Sequence, residues 1–163
     1  MMGKKEIYDF LNENGIRHEI TEHAAVFNME ELDAVDLPYP DADAKNLFVR
    51  DDKRRSYYLI TVKGDKRVDL KEFRKTYGTK PLTFVKPEEL AELLGLIPGA
   101  VSPFGLLNDR EHKVVFYMDQ AFLEGSGLIG IHPNDNTATV WLKAEDLIRI
   151  LREKGSEVNL AAL

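Results

Sequence analysis

The sequence predicts a mixed α/β fold: a largely antiparallel sheet with helices packed around it. Strand-like and helix-like stretches interleave along the 163 residues, the pattern of α/β and α+β chains. Several neighbouring strands are separated only by turn residues, so they read as hairpins rather than the crossovers of a doubly wound parallel sheet. A Rossmann fingerprint, with glycines between a strand and the helix it opens into, is absent.

Each element follows from its residues. Over 4–14, Ile7, Tyr8, Phe10 and Leu11 fall on one helical face, and Gly15 is a left-handed stop. "IRHEITEH" alternates as a strand does. In "NMEELDAV", Asn28 with Glu31 three residues on resembles a capping box. "DLPYPDADA" is a loop, and "NLFVRD" and "SYYLITVK", joined by "DKRR", make a hairpin. "DLKEFRKTYG" is a helix capped by Asp69 and ended by Gly78. "PLTFV" is a short strand, and "PEELAELLG" is a helix from Pro87 to Gly95. "KVVFYMD", "GLIGIH" and "TATVWLK" are strands, with helical turns at "QAFLEGS" and a turn at "PNDN". "AEDLIRILREKG" closes the chain as an amphipathic helix striped by Leu147, Ile148, Ile150 and Leu151.

The totals narrow the class. A chain of this length reads as one domain over 1–163, and 44% hydrophobic with 31% charged residues is a globular balance. The absence of cysteine excludes disulfides, thiolate metal sites and a cysteine nucleophile. No apolar run approaches the ~18 residues of a membrane span, and "MMGKKEIYDF" lacks a signal-peptide core. The expectation is a cytoplasmic protein with no membrane partner. The net charge of −6 disfavours bulk nucleic-acid affinity, but it is unevenly spread. Residues 45–80 hold 12 Lys/Arg against 5 Asp/Glu, while 29–44 hold six acids and no base. That segregation suits a phosphate-tracking face as well as two solvated ones.

The stretch "GLIPGAVSPFGLLNDR", residues 95–110, is apolar yet rich in glycine and proline. Pro98 and Pro103 bar a continuous helix or central strand. Such a loop serves as a tight structural connection, or it presents backbone N–H groups to a carbonyl or developing oxyanion. Lys45 stands at the entry to a strand, and His132 ends one in "GIHPND". Taken alone, Lys45 reads first as an ordinary exposed cation and His132 as a structural histidine; the functional alternative for His132 is a proton handler or hydrogen-bond donor. Histidines 18, 23, 112 and 132 lack metal-ligand spacing, and G-x-S-x-G and H-E-x-x-H do not occur. No metal or cofactor is expected.

In combination the pieces are far more specific. "VFNMEEL", "AKNLFVRD", "LGLIPGAVSPFGLLND" and "GIHPNDNTATVWL", in that order and spacing, resemble the YbaK/prolyl-tRNA synthetase-associated domain family. Nearly the whole chain is covered, and it looks most like the freestanding ProX/PrdX group, which clears alanine from tRNA for proline. The resemblance implies an open, barrel-like mixed sheet and a pocket for the aminoacyl end of tRNA. It implies catalytic roles for Lys45, His132 and the backbone of Gly99, Ala100, Val101 and Ser102. It implies substrate contacts from Phe27, Met29, Asn46, Leu47, Pro103 and Phe104. The basic segment adds Arg54, Arg55, Lys66 and Arg67 as tRNA-binding candidates. The implied partner is the acceptor end of mischarged tRNA for proline, with prolyl-tRNA synthetase a second candidate. The departure at Asn28-Met29, where relatives often carry Thr-Val, bears on amino-acid preference. The loop reads Ala-Val-Ser-Pro where cysteinyl-tRNA relatives carry Gly-Cys-Ser-Pro, which favours alanine. The alternatives are a non-catalytic tRNA- or amino-acid-binding module and a deacylase for cysteine or serine.

Overall fold

The computed structural model describes all residues except Met29, Leu32, Asp33, Ala34 and Asp65. In chain order the elements are α1 (Lys4–Glu13), β1 (His18–Glu22), β2 (Ala44–Asp51), β3 (Tyr57–Lys63), α2 (Leu70–Tyr77), β4 (Leu82–Phe84), α3 (Pro87–Leu94), β5 (Val114–Asp119), β6 (Leu128–Ile131), β7 (Ala138–Lys143), α4 (Ala144–Glu153) and β8 (Glu157–Ala161). Short 3-10 turns lie at Pro40–Ala42, Pro98–Ala100, Pro103–Asn108 and Gln120–Leu123.

The strands form two open sheets. One is antiparallel, in the order β1-β7-β6; the other is mixed, in the order β4-β2-β3-β5-β8. The β2–β3 hairpin is antiparallel, as its connection predicts, whereas β3–β5 and β5–β8 are parallel. The sheets meet where Asp43 bridges Gly130. That junction brings the start of β2 beside the end of β6, and the site is built there.

Alternation along β2 and β3 divides the core. Ala44, Phe48 and Leu59 face the larger cluster, which α1, α3 and α4 close with Ile7, Leu11, Leu94, Leu147 and Leu151. Val49, Ile60 and Val62 face a smaller cluster on the other side of the sheet, closed by Phe73 of α2. Burying such a phenylalanine stabilises by roughly 1.5–3 kcal/mol. α2 starts and stops where the sequence places its ends. Asp69 accepts from the amides of Lys71 and Glu72, and Gly78 adopts φ 67°.

Candidate active site

A cleft of about 240 Å³ opens where three segments converge. The start of β2 contributes Lys45 and Asn46, the proline-rich loop contributes Pro98, Gly99 and Val101, and the end of β6 contributes Gly130 and His132. Phe27 and Thr139 complete the wall. Lys45, Asn46, Gly99, Val101, His132 and Phe27, picked from distant parts of the sequence, thus share one cavity.

Local packing explains why these residues stand there. Gly99 has no room for a side chain: a Cβ would meet Phe27 Cδ1 at 2.8 Å, Asn136 Nδ2 at 3.2 Å and the Val26 carbonyl at 3.2 Å. Asn136, which the sequence presents as a simple turn residue, is a buried strut. Its amide donates to the Val26 carbonyl at 2.8 Å, and the Val26 amide donates back to its carbonyl at 3.2 Å. Phe27 lies at the mouth, 63% exposed. Its amide donates to Glu31 at 2.7 Å, and the Glu31 amide donates to Asn28 Oδ1 at 2.8 Å, so Asn28 caps the Glu31 amide as expected, while the Glu31 carboxylate takes the amide of Phe27 rather than that of Asn28. Gly130 is required by Trp141, since a Cβ there would fall 2.2 Å from the buried indole.

The polar groups are set by geometry. His132 Nδ1 lies 2.7 Å from the Ala138 carbonyl. A carbonyl only accepts, so Nδ1 carries the proton and Nε2 the lone pair. Burial holds this imidazole below its ordinary pKa of 6.5; the Ala138 contact opposes the shift and His23 adds to it. Asn46 Oδ1 accepts from Thr61 Oγ1 at 2.6 Å, which fixes its amide. Lys45 is half-buried at the rim.

Other sequence candidates lie elsewhere. Ala100 and Ser102 are buried behind the loop, at 1% and 0% exposure. The Ala100 amide donates to the Ile97 carbonyl at 2.9 Å. Ser102 Oγ accepts from the Phe104 amide at 3.2 Å, capping the next turn. Pro103 and Phe104 are core residues. Leu47 packs against the smaller cluster. Met29 lies outside the described residues. The four cations proposed for tRNA are not brought together. Arg54 and Arg55 sit in the hairpin turn, more than about 20 Å along β2 from Lys45 at ~3.3 Å per residue. Lys66 pairs with buried Asp119 at 2.8 Å and also donates to the Leu163 carbonyl at 3.2 Å. Arg67, near the cleft end of β3, is exposed.

Sequence reasoning missed His23, Thr139 and Asp43. Thr139 reaches the cleft through its register with Thr21 of β1, and Asp43 through its bridge to Gly130. Both are long-range pairings with no local signal. Among the described residues no cluster of three or more His, Asp or Glu could hold a metal. No described helix is long and apolar enough to cross a membrane.

The family of the aminoacyl-tRNA editing domain matches residues 23–150, a span that contains every cleft residue. The chain is 38% identical over 156 residues to the prolyl-tRNA editing protein ProX of Acetoanaerobium sticklandii, covering 96% of this chain and 94% of that one. It is 34% identical over 145 residues to prolyl-tRNA synthetase associated domain-containing protein 1 of Bos taurus, covering 87% and 84%. A crystal structure described as a candidate trans-editing enzyme for prolyl tRNA synthetase superposes with a TM-score of 0.68 at 22% identity, covering 95% and 93%. The fold is therefore shared with that structure, and the open mixed architecture agrees with the sequence expectation. By profile, by identity and by the convergence of its motif residues on one cleft, this chain belongs to the aminoacyl-tRNA editing domain family.

Proposed function

We propose that the protein is a trans-editing deacylase, acting as one domain, that hydrolyses the ester of mischarged tRNA for proline, with alanine the preferred amino acid. The observation that carries this is the convergence of Lys45, Asn46, Gly99, Val101 and His132 on a single small cleft. Its volume, about 240 Å³, is below the ~300–1,000 Å³ of pockets that enclose drug-sized ligands. The aminoacyl group enters, and the rest of the tRNA stays outside.

The chemistry needs little from side chains, because an aminoacyl ester is already activated. Water adds to the carbonyl carbon; the tetrahedral oxyanion collapses and expels the ribose oxygen, which takes a proton. Free amino acid and tRNA are the products. The backbone amides of Gly99 and Val101 meet the developing oxyanion, the Ala100 amide being taken by the Ile97 carbonyl. Lys45, at the rim, holds the terminal phosphate or sugar and so fixes the carbonyl against the loop. Selection is by size and by the cleft's polar groups. A small cavity rejects a ring more readily than it rejects a methyl group.

The competing reading is a module that binds charged tRNA without turnover. Catalytic amounts of purified protein, incubated with alanyl-, cysteinyl-, seryl- and prolyl-tRNA for proline, separate the two. The deacylase reading expects many equivalents of free alanine per protein. Retention of intact alanyl-tRNA with its ester protected would overturn it.

A further inference from the structure

Two acceptors in the cleft have no donor of their own left to offer. His23 Nδ1 lies 2.8 Å from the Ala24 carbonyl, so Nδ1 carries the proton and Nε2 the lone pair. Thr139 Oγ1 is 2.9 Å from that Nε2, so its single proton is directed to His23. What remains to the Thr139 hydroxyl is lone pairs. Thr139 is 3% exposed and lines the cleft. His132, whose ring lies 6.0 Å from that of His23, also has its proton turned away, toward Ala138. The cleft is therefore polarised. Lys45, a cation, stands on β2, while the β6–β7 side offers Thr139 Oγ1 and His132 Nε2 as acceptors.

We propose that Thr139, oriented by His23, acts with His132 to read the α-ammonium group of the esterified amino acid. The inference rests on the deacylase reading. An ammonium brings three N–H donors to acceptors that are short of donors, and it points the ester toward Lys45 and the Gly99 loop. His23 is a positioning residue, because it acts through the Thr139 hydroxyl.

The test compares alanyl-tRNA for proline with lactyl-tRNA for proline, in which a hydroxyl replaces the ammonium and the ester and methyl group are kept. Single-turnover rates are normalised to each ester's spontaneous hydrolysis, because the ammonium itself activates an ester. A hydrogen bond to a charged group predicts a normalised preference for alanyl of roughly ten- to a hundredfold. Thr139→Val, which keeps the shape and removes the oxygen, lowers that preference. Thr139→Ser retains it. His23→Ala, which lets the Thr139 proton turn into the cleft, lowers it as well. Equal normalised rates on the two esters by the wild-type protein overturn the inference alone, and this comparison stands even where a variant fails to fold. A preference unchanged in folded Thr139→Val also overturns it. Hydrolysis of neither ester overturns the deacylase reading and takes the inference with it.

Discussion

At one end of the β2–β3 hairpin, Arg50 is buried and grips Glu89 of α3 through Nε at 2.7 Å and Nη2 at 3.0 Å. Arg54 approaches the same carboxylate at 3.6 Å, and Asp51 accepts the amides of Arg55 and Ser56 at 2.7 and 3.2 Å. At the other end, Lys45, Lys63 and Arg67 form no ion pair among the described residues, and the strand opens onto the cleft. Both ends belong to the one basic segment visible in the sequence. One end spends its charge on holding the fold together. The other pairs Lys66 with Asp119 but leaves Lys45, Lys63 and Arg67 without an ion-pair partner among the described residues. Charge counted along a chain therefore locates a basic segment but not its working cations, because long-range partners such as Glu89 and Asp119 decide which of them remain available.

The largest expected effect breaks the cleft end. Lys45→Ala lowers single-turnover deacylation of alanyl-tRNA on the order of 10²-fold, the usual consequence of misplacing a reacting group. Lys45→Arg, which keeps the charge but changes reach and donor geometry, restores only part of the rate. Arg54→Ala, at the other end, changes the rate less than about twofold, since it is exposed and far from the ester. Equal losses from Lys45→Ala and Arg54→Ala would erase the distinction between the two ends.

The next effect breaks the opposite end. Glu89→Ala strands the Arg50 guanidinium, whose side chain is 7% exposed against 11% for its partner. The melting temperature should fall by roughly 5 °C or more, with the activity of the folded fraction unchanged. A comparable loss is expected from Gly130→Ala in the cleft, where the new methyl group meets the Trp141 ring. Overpacking of this kind costs about 1–3 kcal/mol. It also displaces His132, so here stability and activity fall together, and denaturant unfolding with rate measurements on one sample reads both.

These contrasts show what the sequence made legible. Element ends were readable because their causes are local: Asp69 and Gly78 bound α2, and Gly95, at φ 66°, ends α3. The hairpin was readable because its turn is only five residues from strand to strand. The parallel pairing of β5 with β3 and β8 was not, and β8 itself went unpredicted: "EVNLA" alternates polar with apolar residues, but five residues are a weak signal and the strand owes its form to the edge of β5. At the site, the motif residues were readable one by one. That Ala100 and Ser102 would turn inward while Gly99 and Val101 face the cleft depends on the 3-10 turns on either side of Val101. The roles of His23 and Thr139 depend on β1 pairing with β7.

A smaller effect concerns pH. Burial keeps His132 neutral below the ordinary imidazole pKa of 6.5. The unfolded chain takes up this proton near 6.5 and the folded chain only at lower pH. The stability the ring contributes is thus complete above the unfolded value and is lost as pH falls below it. Deacylation, corrected for spontaneous hydrolysis, should decline as pH falls below about 6.5, with a midpoint below that value. In His132→Gln that decline disappears. A midpoint above 6.5 would contradict the burial argument.

The smallest effect sharpens the comparison of the two ends. Charge reversal at Lys63 and Arg67 should weaken tRNA binding and reduce the slope of log affinity against log salt by about 1–2, as loss of one or two phosphate contacts does. Reversal at Arg54 and Arg55 should reduce it less. The reverse order, measured by filter binding over a salt series, would move the tRNA contact to the hairpin turn.

The central claim is that this small cleft releases alanine from tRNA for proline and spares the correctly charged form. The direct measurement is the single-turnover hydrolysis rate of alanyl-tRNA against prolyl-tRNA, both for proline, each corrected for spontaneous hydrolysis. The account predicts rapid release of alanine and a prolyl ester whose decay the protein barely changes. Equal acceleration of both esters, or of neither, would contradict it.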